Sequence, residues 1–200
     1  MKFGYYKSTG ETVPVTQLGI ERGYYREEEH TLIGTDTVGN EHEVGSASTI
    51  EIFTSLILKK KVSLFDVYDS ISDYMSIYEA VVEFGHRSKI DESGNTVLDS
   101  LESDPVHLLS RLYIYPEYRR LSLASQFIQT FIEANSARNT DTLFLLEAYP
   151  FALEYTDFEN EFLYEQAVAS GKRQLTDLYK SLGFKELSKK SQVMFRYEAS

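Results

Sequence analysis

The chain of 200 residues contains no cysteine. Disulfides, a thiolate nucleophile and cysteine-ligated zinc are thereby excluded. A cysteine-free chain fits a reducing cytoplasm, the compartment expected here. Long apolar runs are absent too. The longest, Ile52 to Leu58, is strand-sized and interrupted by Thr54 and Ser55, far short of the roughly 18 residues of a membrane span. The start, Met1-Lys2-Phe3-Gly4-Tyr5, lacks a signal-peptide pattern. Basic residues are scarce: 20 Lys and Arg face 31 Asp and Glu, for a net charge of −11. A nucleic-acid binder needs a basic stripe to neutralise phosphates, so that class is disfavoured. Acidic excess favours cationic partners such as amines, polyamines or basic peptides. His30, His42, His86 and His107 are too widely spaced for a local metal pair. No internal repeat stands out.

What is present is a foldable chain. A hydrophobic content of 42%, with 14% aromatic residues, excludes general disorder. The length suits a single domain, residues 1–200, with a sizeable core. Residues 1–48 read as an irregular hairpin region, with Val38-Gly39-Asn40 as a loop. Thr49 or Ile50 to Leu58 reads as a longer strand closed by Lys59-Lys60-Lys61. Ser63 is a good N-cap, and the apolar spacing from Leu64 to Val82 predicts a helix over 63–84. Val106 to Tyr115 and residues 142–149 read as strands. After Pro150, residues 151–171 form an acidic excursion in which Phe158, Phe162 and Leu163 suggest a short amphipathic helix. Gln192 to Glu198 alternates as a last strand.

The most informative stretch is Leu112-Tyr113-Ile114-Tyr115-Pro116-Glu117-Tyr118-Arg119-Arg120-Leu121-Ser122-Leu123-Ala124. An apolar strand meets a proline, then a basic turn, then a helix. Ala124, Phe127, Ile128, Phe131 and Ile132 supply the helical spacing. A helix start exposes N–H groups without helical partners, and the helix dipole adds positive charge, so the turn suits an anion. Downstream, Leu175, Leu178, Tyr179 and Leu182 form an apolar stripe that ends at Gly183 and Phe184. Gly183 is a natural left-handed C-cap. A plain strand-turn-helix and a core tyrosine satisfy the same residues.

Together the two stretches resemble motifs of the GNAT superfamily of N-acetyltransferases, over about residues 106–198. Arg119, Ser122 and Ala124 take the Arg or Gln, first Gly and last small position of its acyl-CoA-binding turn. Tyr179, Gly183 and Phe184 match the end of its late helix. The expected fold is therefore an α/β domain: a GNAT-like mixed, mostly antiparallel sheet flanked by helices, with an added or rearranged N-terminal region. A turn that keeps φ negative would accept Ser at 122. Lys172 and Leu175 depart from the Asn and Ala common earlier on the family's last helix.

The resemblance implies transfer of an acetyl group from acetyl-CoA to a small-molecule or peptide amine. Its cofactor site would comprise Leu112, Tyr113 and Ile114, through an open strand edge, and Arg119, Arg120, Leu121, Ser122, Leu123 and Ala124 around the pyrophosphate. Tyr179 would be the general acid, and Glu147 is a candidate base. Freeing an alkyl amine of pKa near 10.4 at pH 7 costs about 4–5 kcal/mol, which a carboxylate can offset. Without cysteine, the amine attacks the thioester directly. The acidic excursion would lie near the acceptor mouth. The rivals are a non-catalytic acyl-CoA-binding protein and an acidic protein-interaction module. Oligomeric state is open, homodimer included.

Overall fold

The computed structural model describes residues 11–12, 23–60, 62–71, 77–78, 105–136, 141–150, 153, 156–187 and 193–199. Its strands are β1 Glu11–Thr12, β2 Tyr25–Thr35, β3 Glu41–Ile52, β4 Val106–Ile114, β5 Asp141–Glu147, β6 Lys185–Glu186 and β7 Val193–Ala199. Its helices are α1 Thr54–Lys59, α2 Leu64–Ser70, α3 Leu123–Ser136 and α4 Glu161–Ser181. They build an α/β fold around one sheet of order β1-β2-β3-β4-β5-β7-β6. Every neighbouring pair is antiparallel except β4 and β5, which are parallel. Parallel strands need a crossover, and α3 is that crossover.

Alternation sorts the side chains into two cores. Ile50, Ile52, Val106, Leu108, Leu143 and Leu145 meet Ile57 of α1 and Val67 and Tyr68 of α2 on one face. Ala47, Leu109, Phe144, Leu146 and Met194 meet Leu123, Phe127 and Ile128 of α3 and Tyr179 of α4 on the other. We call these the α1/α2 face and the α3/α4 face. Strand β5 is buried on both faces, which is why Leu143-Phe144-Leu145-Leu146 reads as a continuous apolar run.

A hairpin does lie in the N-terminal region, but its second strand runs past residue 48 to Ile52, and residues 1–10 and 13–22 of that expectation lie outside the described residues. Strands β2 and β3 pair from Tyr25↔Ile52 to Thr35↔Glu41. Their turn is closed by Asp36, whose carboxylate accepts the N–H groups of Val38 at 2.8 Å and Asn40 at 2.9 Å. Bonds from His42 and Asn40 hold the Asp36 carboxyl well below the usual carboxylate range.

Three sequence expectations need correction. The strand expected through Leu58 stops at Ile52, and Thr54–Lys59 is helical. A short apolar run does not distinguish strand from buried helix, and one turn suffices to place Ile57 in the core. The helix expected over 63–84 starts on Ser63, which accepts the Asp66 N–H at 3.4 Å. It ends at Ser70, because Ile71 leaves helical geometry at φ −95° and ψ 77°; Ile77 and Tyr78 are helical again, and most of the remainder lies outside the described residues. The short amphipathic helix expected around Phe162 and Leu163 is the start of a longer one. Asn160 caps α4 by accepting the Leu163 N–H at 3.0 Å, and the 21-residue helix runs unbroken to Ser181. Among the described residues, no helix is long and apolar enough to cross a membrane.

Candidate functional site: a parted strand pair and a left-handed turn

Strands β4 and β5 pair over Val106↔Leu143 to Leu109↔Leu146 only. Strand β4 continues to Ile114 and β5 to Glu147. Leu112, Tyr113 and Ile114 keep their ladder to β3, opposite Ala47, Ser46 and Gly45. On the β5 side the ladder has ended, and β5 itself runs only one residue further; the unladdered space beyond Leu109 and Leu146 is the wedge. Its vertex coincides with a bulge. The β3–β4 register slips between Ser48 and Thr49, making Ser110 the extra residue. A bulge bends its strand and increases its twist, and this one falls where the β5 ladder stops. The Ser110 hydroxyl donates to the Ser48 carbonyl at 2.9 Å and fixes the kink. The slip also changes parity. Leu109 faces the α3/α4 core, and beyond the bulge Leu112 and Ile114 pack against that same core.

The chain leaves β4 through a one-turn 3-10 helix, Pro116–Tyr118. Arg119 then turns back. Its Nε donates to the Ile114 carbonyl at 3.1 Å, and its guanidinium carbon lies 5.6 Å from the Tyr113 ring centroid. This arginine ties the turn to the end of the wedge. Arg120 and Ser122 both adopt positive φ, +66° and +58°, with Leu121 between them outside that region. A turn with left-handed residues is the kind of backbone in which successive N–H groups form an anion-binding concavity. The Ser122 carbonyl accepts the Gln126 N–H at 3.1 Å, so the helix begins at once. Arg119, Arg120, Leu121 and Ser122 are exposed, Ala124 is half-buried, and Leu123 is buried as the anchor.

Ser122 therefore departs from expectation: the turn does not keep φ negative. A left-handed L-residue costs roughly 1–2 kcal/mol that Gly avoids. Ser122→Gly is expected to raise stability by about 1 kcal/mol, or roughly 2–4 °C in Tm for a chain of this size. Thermal denaturation checks this, and an unchanged or lower Tm would show that Ser122 carries no strain.

Tyr179 ends α4 in a Schellman motif. The Phe184 N–H donates to the Tyr179 carbonyl at 3.0 Å, and the Gly183 N–H to the Lys180 carbonyl at 3.0 Å. Gly183 takes φ +85°, which an L-residue resists. Phe184 folds back, its ring centroid 6.1 Å from that of Tyr179. Tyr179 is only 6% exposed. Burial pushes its phenol pKa up to about 12, and burial raises Tyr68 as well. A raised folded pKa stabilises fully below the unfolded value near 10 and loses that contribution as pH rises toward 12. The unfolded chain then releases protons that the fold retains. Tyr179 alone should remove about 1.4 kcal/mol of stability per pH unit across pH 10–12. Denaturant melts of wild type and Tyr179→Phe over that window check it, and the variant should show the shallower loss.

Glu147 and Tyr179 are not brought together. Glu147 alternates with Leu143 and Leu145, so it belongs to the α1/α2 face, while Tyr179 lies in the opposite core. Lys172, on α4, places its ammonium 5.2 Å from the Tyr149 ring centroid. Asp157, Glu159, Glu161 and Glu165 are exposed, and Glu154 lies outside the described residues.

Sequence reading missed a row of polar groups on the α1/α2 face at the wedge vertex. Glu29, Ser48 and Arg111 stand in register. The Ser48 hydroxyl donates to Glu29 at 2.6 Å. Glu27, one step along β2 on that face, has its carboxyl pKa raised by burial and by the charge of Glu29, against the opposing charge of Arg111. The available signal was Arg26-Glu27-Glu28-Glu29-His30, a charged run whose period-2 alternation divides it between the two faces. Among the described residues, no group of three His, Cys, Asp or Glu side chains could hold a metal ion. No family model, curated protein or solved structure matches the chain.

Proposed function

We propose that this protein binds acetyl-CoA in the β4–β5 wedge and transfers the acetyl group to a primary amine, with a fold of GNAT type. The observation that supports this most is the junction of three features. A parallel ladder ends at a bulge, the β4 edge runs on without it, and the chain passes into a turn with two left-handed residues at a helix start. The open edge at Leu112–Ile114 suits the amides of a pantetheine arm, and the turn at 119–124 suits its pyrophosphate. In the step itself the amine nitrogen forms a bond to the acyl carbon and the C–S bond breaks. The ammonium gives one proton to a carboxylate to become the attacking amine, and the second nitrogen proton, lost as the C–S bond breaks, ends on the departing thiolate. Glu27 is a candidate proton acceptor beside Glu147, because both lie on the face away from Tyr179. The amine then approaches from one face while Tyr179 serves the leaving sulfur from the other.

A non-catalytic acyl-CoA binder is favoured by one observation, the burial of Tyr179 inside a helix-end core. Acetyl-CoA at about 100 times its Kd should stabilise either protein by about 2.7 kcal/mol. Ser122→Glu, which places a carboxylate in the turn at an exposed position, should weaken acetyl-CoA at least roughly 10-fold through charge repulsion. Absence of any thermal shift by acetyl-CoA would refute both readings. Amine-dependent thiol release then separates them: release over a panel of amines marks the enzyme, and its absence with intact binding marks the sensor.

A further inference from the structure

A cavity lies on the α3/α4 face, away from the β4 edge and the turn. It encloses about 210 Å³ between the later turns of α3 and the adjoining surface of β2, β3 and β4. It exists because α3 packs over β4 and β5, where Phe131 meets both His107 and Phe144. The same face of β2 and β3 is left alongside the helix. No residue of the wedge beyond the bulge and none of the turn lines it, so it is independent of the acyl-CoA reading.

Its walls differ in chemistry. On the helix side Phe127 and Phe131 stack at 15° with centroids 6.2 Å apart, a flat apolar wall. At the floor, buried His30 bonds Thr49 through Nε2 and Oγ1 at 2.8 Å. At the strand end Arg26 is flanked by Glu28, at 3.2 Å from its Nε, and by Glu51. Two carboxylates against one guanidinium leave a net negative charge at that end. Burial lowers the His30 pKa, so the imidazole adds no positive charge at neutral pH.

Size and sign select the ligand. At about 30 Å³ per water, the cavity holds roughly seven waters, room for one small ring and a short arm. The aromatic wall suits a flat apolar body and adds cation–π attraction to a nearby ammonium. An anion is disfavoured because both carboxylates already flank Arg26. We infer that the cavity between α3 and strands β2–β4 is a binding site for a small monocationic amine with an aromatic or cyclic body, its ring on Phe127 and Phe131 and its ammonium toward Glu28 and Glu51.

Benzylamine is the probe, with benzyl alcohol and benzoate as its neutral and anionic counterparts. Calorimetry at neutral pH is expected to rank benzylamine at least roughly 10-fold tighter than either, and NMR should show the His30 and His107 ring signals shifting on saturation. Thr130→Arg puts a cation at the rim, on an exposed helical position that tolerates Arg. It should weaken benzylamine roughly 5-fold or more while Tm is kept. Ala134→Phe, which fills the mouth, should abolish the ring-signal shifts. The site is overturned by benzoate binding as tightly as benzylamine. It is equally overturned by ring signals that do not move, or by a folded Thr130→Arg with wild-type affinity.

Discussion

In Tyr179→Phe, kcat for an amine acceptor is expected to fall roughly 10- to 1000-fold while acetyl-CoA affinity changes little. The expectation follows from where the hydroxyl can act. A thiolate leaving group has a pKa near 8.5 and Tyr179 sits at about 12, so full proton transfer would be uphill by about 5 kcal/mol. The phenol is protonated throughout the working pH range, however, and can donate a hydrogen bond to charge that develops only as the C–S bond breaks. Such a bond strengthens in the transition state and is weak to the thioester, so its loss appears in kcat. The core role of Tyr179 makes a different forecast. Phe keeps the ring against Phe184, and the Schellman bonds use only the backbone carbonyl. Steady-state kinetics with matched acetyl-CoA titrations decide the matter. An unchanged kcat would assign Tyr179 to packing alone and leave the leaving group to another donor.

How much of this was legible in the sequence depends on which physical signal each feature uses. Strand β4, the turn and α3 were readable because Ala124, Phe127, Ile128 and Ile132 repeat at the helical period directly after a proline-closed strand. The α4 end was readable because only glycine takes φ +85° at Gly183 without strain. The wedge was not readable from composition. It is set by a one-residue slip at Ser110, and a serine in a strand carries no mark of being unpaired. The left-handed turn was misread for a related reason. Arg120 and Ser122 hold a conformation that their side chains oppose, so local propensity pointed the wrong way. The polar row that includes Glu27 was obscured by distance in sequence. Glu27 and Ser110 are more than eighty positions apart, and only the β2-β3-β4 register brings them to neighbouring rows. The acidic half of α4 was read as a short helix because Phe162 and Leu163 suggest a buried face, yet both are exposed.

The wedge makes one further demand that mutation can expose, and it falls on Gly45. Among the described strands, the arm of β4 from Leu112 to Ile114 ladders with β3 alone, so its position depends on how closely β3 approaches. A β-carbon on Gly45 would lie 2.1 Å from the Tyr113 carbonyl oxygen and 3.1 Å from the Ile114 α-carbon. Both obstacles are backbone, so no side-chain rotation relieves them. Gly45→Ala must therefore push the arm away and break the ladder at Ser46↔Tyr113 and Gly45↔Ile114. The expected loss of stability is about 3 kcal/mol, near the upper range for a single overpacking change, or roughly 6–12 °C in Tm. Acetyl-CoA binding should suffer at least roughly 10-fold in the protein that remains folded, because the displaced strand edge is the one proposed to meet the pantetheine amides. Thermal melts and calorimetry at a temperature well below the variant's Tm separate the two effects. A Gly45→Ala protein with reduced Tm and wild-type acetyl-CoA affinity would move the cofactor off the β4 edge. One with wild-type Tm would show that β3 and β4 do not approach this closely.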